Sequence, residues 1–154
     1  MNYNELLTNR RSIRNYKDKP VPDEILIDII HESTFAPNAS NSQQWKFVIV
    51  NNRVMIRRIS DESKKNLLKR IEDNPSDFVK KYESVLRNAD YNVFYNAPAL
   101  IIIAGPSDYR SLMVDSALCA AYIMYAAVSR GLGTCWVNLG SDIRDSELRS
   151  ELGL

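Results

Sequence analysis

The chain predicts a layered α/β-type fold in which helices cover both faces of a small central sheet. Three observations carry that expectation. Residues 46–50 and 98–104 are short apolar runs without alternation, as strands covered on both faces are. Helical periodicity fills the stretches between them. The length of 154 residues, with 45% apolar and 25% charged residues, allows one domain over 1–154 with a real core.

In chain order, the first helix is predicted over 3–8, with Leu6 and Leu7 as its apolar edge. Arg10 and Arg11 follow at the end where cations suit the helix dipole. Pro20-Val21-Pro22 breaks the chain, and Asp23 and Glu24 supply an acidic first turn to a second helix. Its Ile25, Leu26, Ile29 and Ile30 recur at helical spacing, and Pro37 ends it. After the strand at 46–50, helices are predicted over 53–71 and 77–88. In the latter, Phe78, Val79, Tyr82, Val85 and Leu86 share one face.

The strand at 98–104 leads to a helix over 111–130, apolar nearly all round at 117–128. Such a helix is buried against several neighbours or lies in a subunit interface. Gly131 and Gly133 end it, 134–138 reads as a third strand, and a short helix starts near Asp142. Three strands make a thin sheet. Either a partner chain completes it, or the chain is a C-terminally shortened version of a longer architecture.

Composition excludes several classes. A net charge of +1 gives no bulk reason to expect nucleic acid or an anionic membrane as partner. Cys119 and Cys135 lie in apolar contexts typical of buried thiols, which favours a reducing, cytoplasmic compartment. His31 is the only histidine, so no metal site is expected. The N-terminus has no apolar core of a signal peptide. The apolar run 97–105 is too short to cross a bilayer, and the longer run 112–129 carries Asp115. There is no GxGxxG, no Walker lysine and no GxSxG.

Two motifs carry chemistry. Arg10-Arg11-Ser12-Ile13-Arg14 gathers three guanidinium groups and a hydroxyl within five residues. If extended, it points Arg10, Ser12 and Arg14 one way and Arg11 and Ile13 the other, with Ile13 as a core anchor. Two guanidinium forks and a hydroxyl on one face suit a phosphate; the alternative is helix-end charge followed by a surface turn. The second motif runs from Ala36-Pro37-Asn38-Ala39-Ser40-Asn41 through Gln43 and Gln44 to Trp45. It offers amides and backbone groups to the edge of a heterocycle, or else is an Asn/Ser turn that bonds its own backbone. Trp45 reads more readily as core than as a ligand stack. Gly131-Leu132-Gly133-Thr134-Cys135-Trp136 is by itself only helix-capping chemistry.

Taken in order, these motifs, with Pro20-Val21-Pro22, Asn96-Ala97-Pro98 and Asp115 at the head of the long helix, resemble the FMN-dependent nitroreductase family. The resemblance implies an α+β fold, a three-layer α-β-α sandwich with a central mixed sheet and a long helix buried in a homodimer. It implies FMN at the subunit interface, with Arg10, Arg11, Ser12 and Arg14 on phosphate and ribityl. Pro37, Asn38, Ala39 and Asn41 would approach the flavin from the partner subunit, and Trp136, Val137 and Asn138 would lie along the isoalloxazine. The implied activity is transfer of hydride from NADH or NADPH through FMN to a nitroaromatic, quinone or similar small acceptor, by a ping-pong cycle. The alternative is a flavin-binding protein without nicotinamide-driven turnover. Flavin would carry the redox chemistry, which fits the lack of an obvious acid–base residue.

Overall fold

Strands β1 (Lys46–Val50) and β2 (Leu100–Ala104) pair antiparallel, with Lys46 opposite Ala104 and Val50 opposite Leu100. The computed structural model describes residues 1–154. Because side chains alternate along a strand, this register sends Phe47, Ile101 and Ile103 to one face and Val48, Val50, Leu100 and Ile102 to the other. Both sets are apolar, which is why neither strand shows polar alternation.

The first face packs on α2 (Asp23–Ser33) and α5 (Leu112–Ser129), around a core of Ile29, Ile123, Ala126 and Ala127. The second packs on α3 (Arg53–Asp73), α4 (Glu83–Arg87) and α6 (Ser146–Glu151), around Ile56, Ile59, Leu67, Leu86 and Leu148. Helix layer, sheet and helix layer follow one another, as the α+β three-layer fold requires. The remaining helix, α1 (Tyr3–Asn9), lies on α5.

Caps explain the boundaries. Asn2 and Glu5 form a reciprocal capping box on α1. The side chains of Asn52 and Asp145 accept the backbone N–H groups of Met55 and Leu148 to open α3 and α6. At the end of α5, Gly131 takes φ +72°, and the Leu132 amide donates back to the Ala127 carbonyl at 2.9 Å. That is a Schellman stop, with Leu132 returned to the core.

Three expectations need correction. The segment 134–138 is not a strand: its only ladder contact is a parallel bridge between Ser12 and Thr134. No neighbouring strand runs beside 135–138, so pairing stops there, and the sheet has two strands rather than three. The bridge is the only parallel element beside the antiparallel pair. The stretch 77–88 is a 3-10 turn (Phe78–Tyr82) followed by the short α4. This break turns Phe78 and Val85 outward while Val79 and Leu86 stay buried. The last helix begins at Ser146 rather than near Asp142, because Asp145 supplies its cap. Within one chain α5 is covered on one side only, and no expectation is overturned there. Asp115, Cys119 and Ile123 face the interior, while Val114, Leu118 and Tyr122 leave an exposed apolar stripe at i, i+4, i+8.

Two ion pairs tie neighbouring helices together within the two layers. Arg58 of α3 holds Glu151 of α6 through two bonds of 2.7 and 2.8 Å. Arg130, just past α5, donates to Glu32 of α2 at 2.8 Å, and holds that carboxyl below its ordinary range. Both pairs are largely solvated and add little to stability by themselves.

Candidate functional site

After α1 the chain runs extended, beginning with Arg10 at φ −64° and ψ 117°. Ile13 donates its backbone N–H to the Thr134 carbonyl at 2.8 Å, which fixes the segment against the chain leaving α5. The two backbones meet closely because Gly133 has no side chain: a Cβ there would lie 2.7 Å from Ile13 Cγ1. Ile13 is thus anchored on Gly133 at the surface, not in the core; its side chain is 36% exposed.

Alternation along the extended segment sorts its side chains as the sequence predicts. Arg11, Ile13 and Asn15 line a large open trough of about 1980 Å³, whereas Arg10, Ser12 and Arg14 do not. Trp136, Val137 and Asn138 line the same trough, with Trp136 half-exposed. Leu100–Ala104 of β2 and Ser116, Ala120, Ile123, Met124 and Ala127 of α5 also line it. Thr134 also lines it, and its Oγ1 is buried without a hydrogen-bond partner. A buried hydroxyl left unpaired costs free energy comparable to a lost hydrogen bond, so the atom marks a place suited to an external polar group.

None of Arg10, Arg11 and Arg14 is paired with a carboxylate. Arg11 donates to the Arg10 carbonyl at 2.8 Å. The Arg14 guanidinium lies over the ring of Tyr95, 5.8 Å from its centroid, and Tyr95 helps to raise its pKa. Three cations without a carboxylate partner, Arg11 and Arg14 exposed and Arg10 half-buried, stand beside an extended backbone as charge-assisted donors for a phosphate. Tyr16 sits in the same neighbourhood, its phenol pushed up to about 12, first by burial and then by Cys135 and Tyr95.

The 37–41 motif lies elsewhere. Pro37, Asn38, Ala39 and Asn41 do not line the trough. Their loop is a 3-10 turn (Ala39–Asn41) with an unusual backbone: Ser40, Asn41 and Gln43 have φ of 55°, 51° and 47°. Non-glycine residues in the left-handed region are uncommon, and three within four positions need external support. Part of it is local, since Asn38 Oδ1 accepts the Gln43 amide at 2.9 Å. Part comes from α5: both carboxylate oxygens of Asp115 accept the Ala39 amide at 3.2 Å. Within one chain the trough therefore takes in 136–138 and Arg11 but not the 37–41 loop, although Gln44 just after the loop and Ser116 beside Asp115 do line it. Trp45 leads into β1 with its ring 6.4 Å from that of Phe47, as a structural aromatic would.

Sequence reasoning missed the roles of Tyr16, Tyr95 and Thr134, and of Tyr109, whose hydroxyl donates to Asp115 at 2.7 Å. Tyr95 and Asn96 take φ of 56° and 57°, which presents Tyr95 to Arg14; Asn96-Ala97-Pro98 was the only local signal of that turn. Tyr16, Thr134 and Tyr109 acquire their places only through tertiary contacts.

Known proteins resemble this chain in sequence and in fold. The chain is 27% identical, over 139 residues, to a candidate NADH dehydrogenase/NAD(P)H nitroreductase of Methanothermobacter thermautotrophicus; the match covers 88% of this chain and 60% of that protein. It is 33% identical over 103 residues to rat iodotyrosine deiodinase 1, covering 64% of this chain and 35% of that one. Among solved structures, a nitroreductase with bound FMN from Bacteroides fragilis superposes with a TM-score of 0.83 at 26% identity, over 100% of this chain and 81% of that one. The chain thus spans between a third and four fifths of the length of these relatives. The nitroreductase family model matches residues 7–154, and the chain belongs to the nitroreductase family.

Proposed function

We propose that the protein is an FMN-dependent oxidoreductase of the nitroreductase type that passes reducing equivalents from NADH or NADPH to a small aromatic acceptor such as a nitroaromatic or quinone. The observation that carries this reading is the set of carboxylate-free guanidinium groups at 10–14, bonded through Ile13 and Thr134 to the segment bearing Trp136. FMN, when bound, supplies the hydride chemistry that no protein side chain here offers.

The residues present fit that group. Arg11 on the trough side of the segment, with Arg10, Ser12 and Arg14 on its other side, suits a phosphate and ribityl chain lying over the edge of the trough. The orphaned Thr134 Oγ1 and the half-exposed Trp136 suit a flat ring with a polar edge. Pro37, Asn38, Ala39 and Asn41 lie away from the trough, and their role is proposed to come from a second copy of the chain. That copy would dock on the exposed stripe of α5, making a homodimer with two sites. Tyr95 would hold Arg14 at a fixed angle, so that its fork reaches the phosphate without a search of rotamers.

Bound flavin and a single open face lead to a ping-pong cycle, nicotinamide and acceptor occupying one place in turn. Both free thiols fit a reducing compartment, and the cytoplasm is proposed. Helix α5 is long and apolar enough to cross a bilayer. We assign it to the dimer instead, because it packs on α1 and α2 and carries the bonded carboxylate of Asp115.

The test is anaerobic addition of NADH or NADPH to the FMN-loaded protein, followed by acceptors from the nitroaromatic, quinone and iodotyrosine classes. Bleaching of the flavin band by nicotinamide and its return with acceptor are expected, with parallel double-reciprocal lines. Intersecting lines would require two separate sites. A flavin that nicotinamide leaves oxidised would make the protein a flavin carrier without this turnover.

A further inference from the structure

Asp115 is 4% exposed, carries no cationic partner and faces the 37–41 loop across the head of α5. Both its oxygens accept the Ala39 amide, and Oδ2 also accepts the Tyr109 hydroxyl at 2.7 Å. Tyr109 has one proton and spends it on Asp115. The contact of 2.8 Å between Ser42 Oγ and the Tyr109 oxygen is therefore a bond donated by Ser42. The result is a directed chain, Ser42 to Tyr109 to Asp115, with Ala39 bonded to the same carboxylate. It grips the loop at both ends, at Ala39 and Ser42, and between those ends lie Ser40 and Asn41 in the left-handed region.

We infer that Asp115 and Tyr109 are positioning residues that hold the 39–42 turn in its left-handed form and so preset its amides for ligand; this rests on the flavin reading of the loop. A left-handed serine costs free energy, an asparagine less, and the Asn38 bond to Gln43 offsets part of it, with the clamp supplying the rest. Without the clamp the loop relaxes towards ordinary φ, and binding must restore the strained form, which lowers affinity. Tyr109 is placed for this role by its own loop: its amide donates to the Pro106 carbonyl at 3.2 Å, and Leu112 donates to the Tyr109 carbonyl at 3.1 Å.

The chemistry of the clamp makes distinct variants. Asp115→Ala removes both acceptors. Tyr109→Phe removes one donor and leaves Ser42 unpaired, while Asp115 keeps Ala39. Asp115→Asn keeps an acceptor for Ala39 and turns the chain round: the amide donates to Tyr109, which then donates to Ser42. Ser40→Gly removes the Cβ that makes positive φ costly.

The experiment measures two quantities on the full-length protein: amide hydrogen exchange at Ala39 and Gln43 without ligand, and FMN affinity by fluorescence titration. Asp115→Ala should lose protection at Ala39 and weaken FMN about ten- to hundredfold, and Tyr109→Phe about three- to tenfold. Asp115→Asn should stay within about threefold of the parent. Ser40→Gly should return much of the lost affinity in the Asp115→Ala background and change the parent little, a coupling that general loss of structure would not produce. Unchanged exchange in Asp115→Ala would overturn the clamp. Lost protection with unchanged FMN affinity, or no coupling to Ser40→Gly, would overturn its positioning role. A parent that binds no FMN would overturn that role together with the flavin reading, and exchange would then still decide whether the clamp exists.

Discussion

The backbone amide of Ile13 donates to the carbonyl of Thr134 at 2.8 Å. This bond brings the arginine segment beside the segment that carries Trp136. It does so at Gly133, where the two chains approach too closely for a Cβ.

Gly133→Ala is therefore expected to push Ile13 away and loosen the bridge. The added methyl would meet Ile13 Cγ1 at 2.7 Å and Cβ at 3.1 Å. Overpacking of this kind costs about 1–3 kcal/mol. Because Ile13 is partly exposed, much of the adjustment falls on the 10–14 segment, so FMN affinity should drop by more than the urea midpoint does. Equal affinity in parent and variant would show that the bridge does not set the site.

The apolar stripe of α5 predicts a dimer. Leu118 and Tyr122 are 39% and 41% exposed on a helix whose other face is core. Leu118→Glu should place an unpaired charge in the interface and shift sedimentation from dimer to monomer at micromolar concentration, with loss of flavin. A permanent interface here would bury roughly 2,000 Å² or more. A parent that sediments as a flavin-loaded monomer would refute it.

Acid should weaken the corner after α3. Arg70 and then the Val79 amide hold the Asp77 carboxyl below the ordinary carboxylate range, through bonds of 2.8, 3.0 and 2.9 Å. The folded value is depressed, so the stabilisation is present above the unfolded value and is lost as pH falls through the folded one. Asp77→Asn should flatten the dependence of the urea midpoint on pH between about 5 and 2. A parent and variant with the same slope would place the acid sensitivity elsewhere.

Much of the fold was legible because period and caps agree. Pro20 and Pro22 before Asp23 and Gly131 after α5 mark ends that local chemistry fixes. Both strands were found from their unalternated runs, and their antiparallel register was not, since pairing is settled by tertiary contact. The 134–138 segment failed as a strand for the same reason: its apolar sequence suits a ladder, but only Ser12 lies alongside. In the site, the alternation of 10–14 was readable from sequence. The clamp of Asp115 on Ala39, 76 residues apart, was not; it needs α5 folded against the loop.

The central claim is that residues 10–14 bind the phosphate of a flavin, and the most direct measurement compares FMN with riboflavin, which lacks that phosphate. Fluorescence titration of the parent should show FMN preferred by about tenfold or more, and the double variant Arg10→Ala, Arg14→Ala should lose most of that preference. Riboflavin affinity should change little between the two proteins. Equal affinity of the parent for both flavins, or a preference that survives removal of both arginines, would contradict the account.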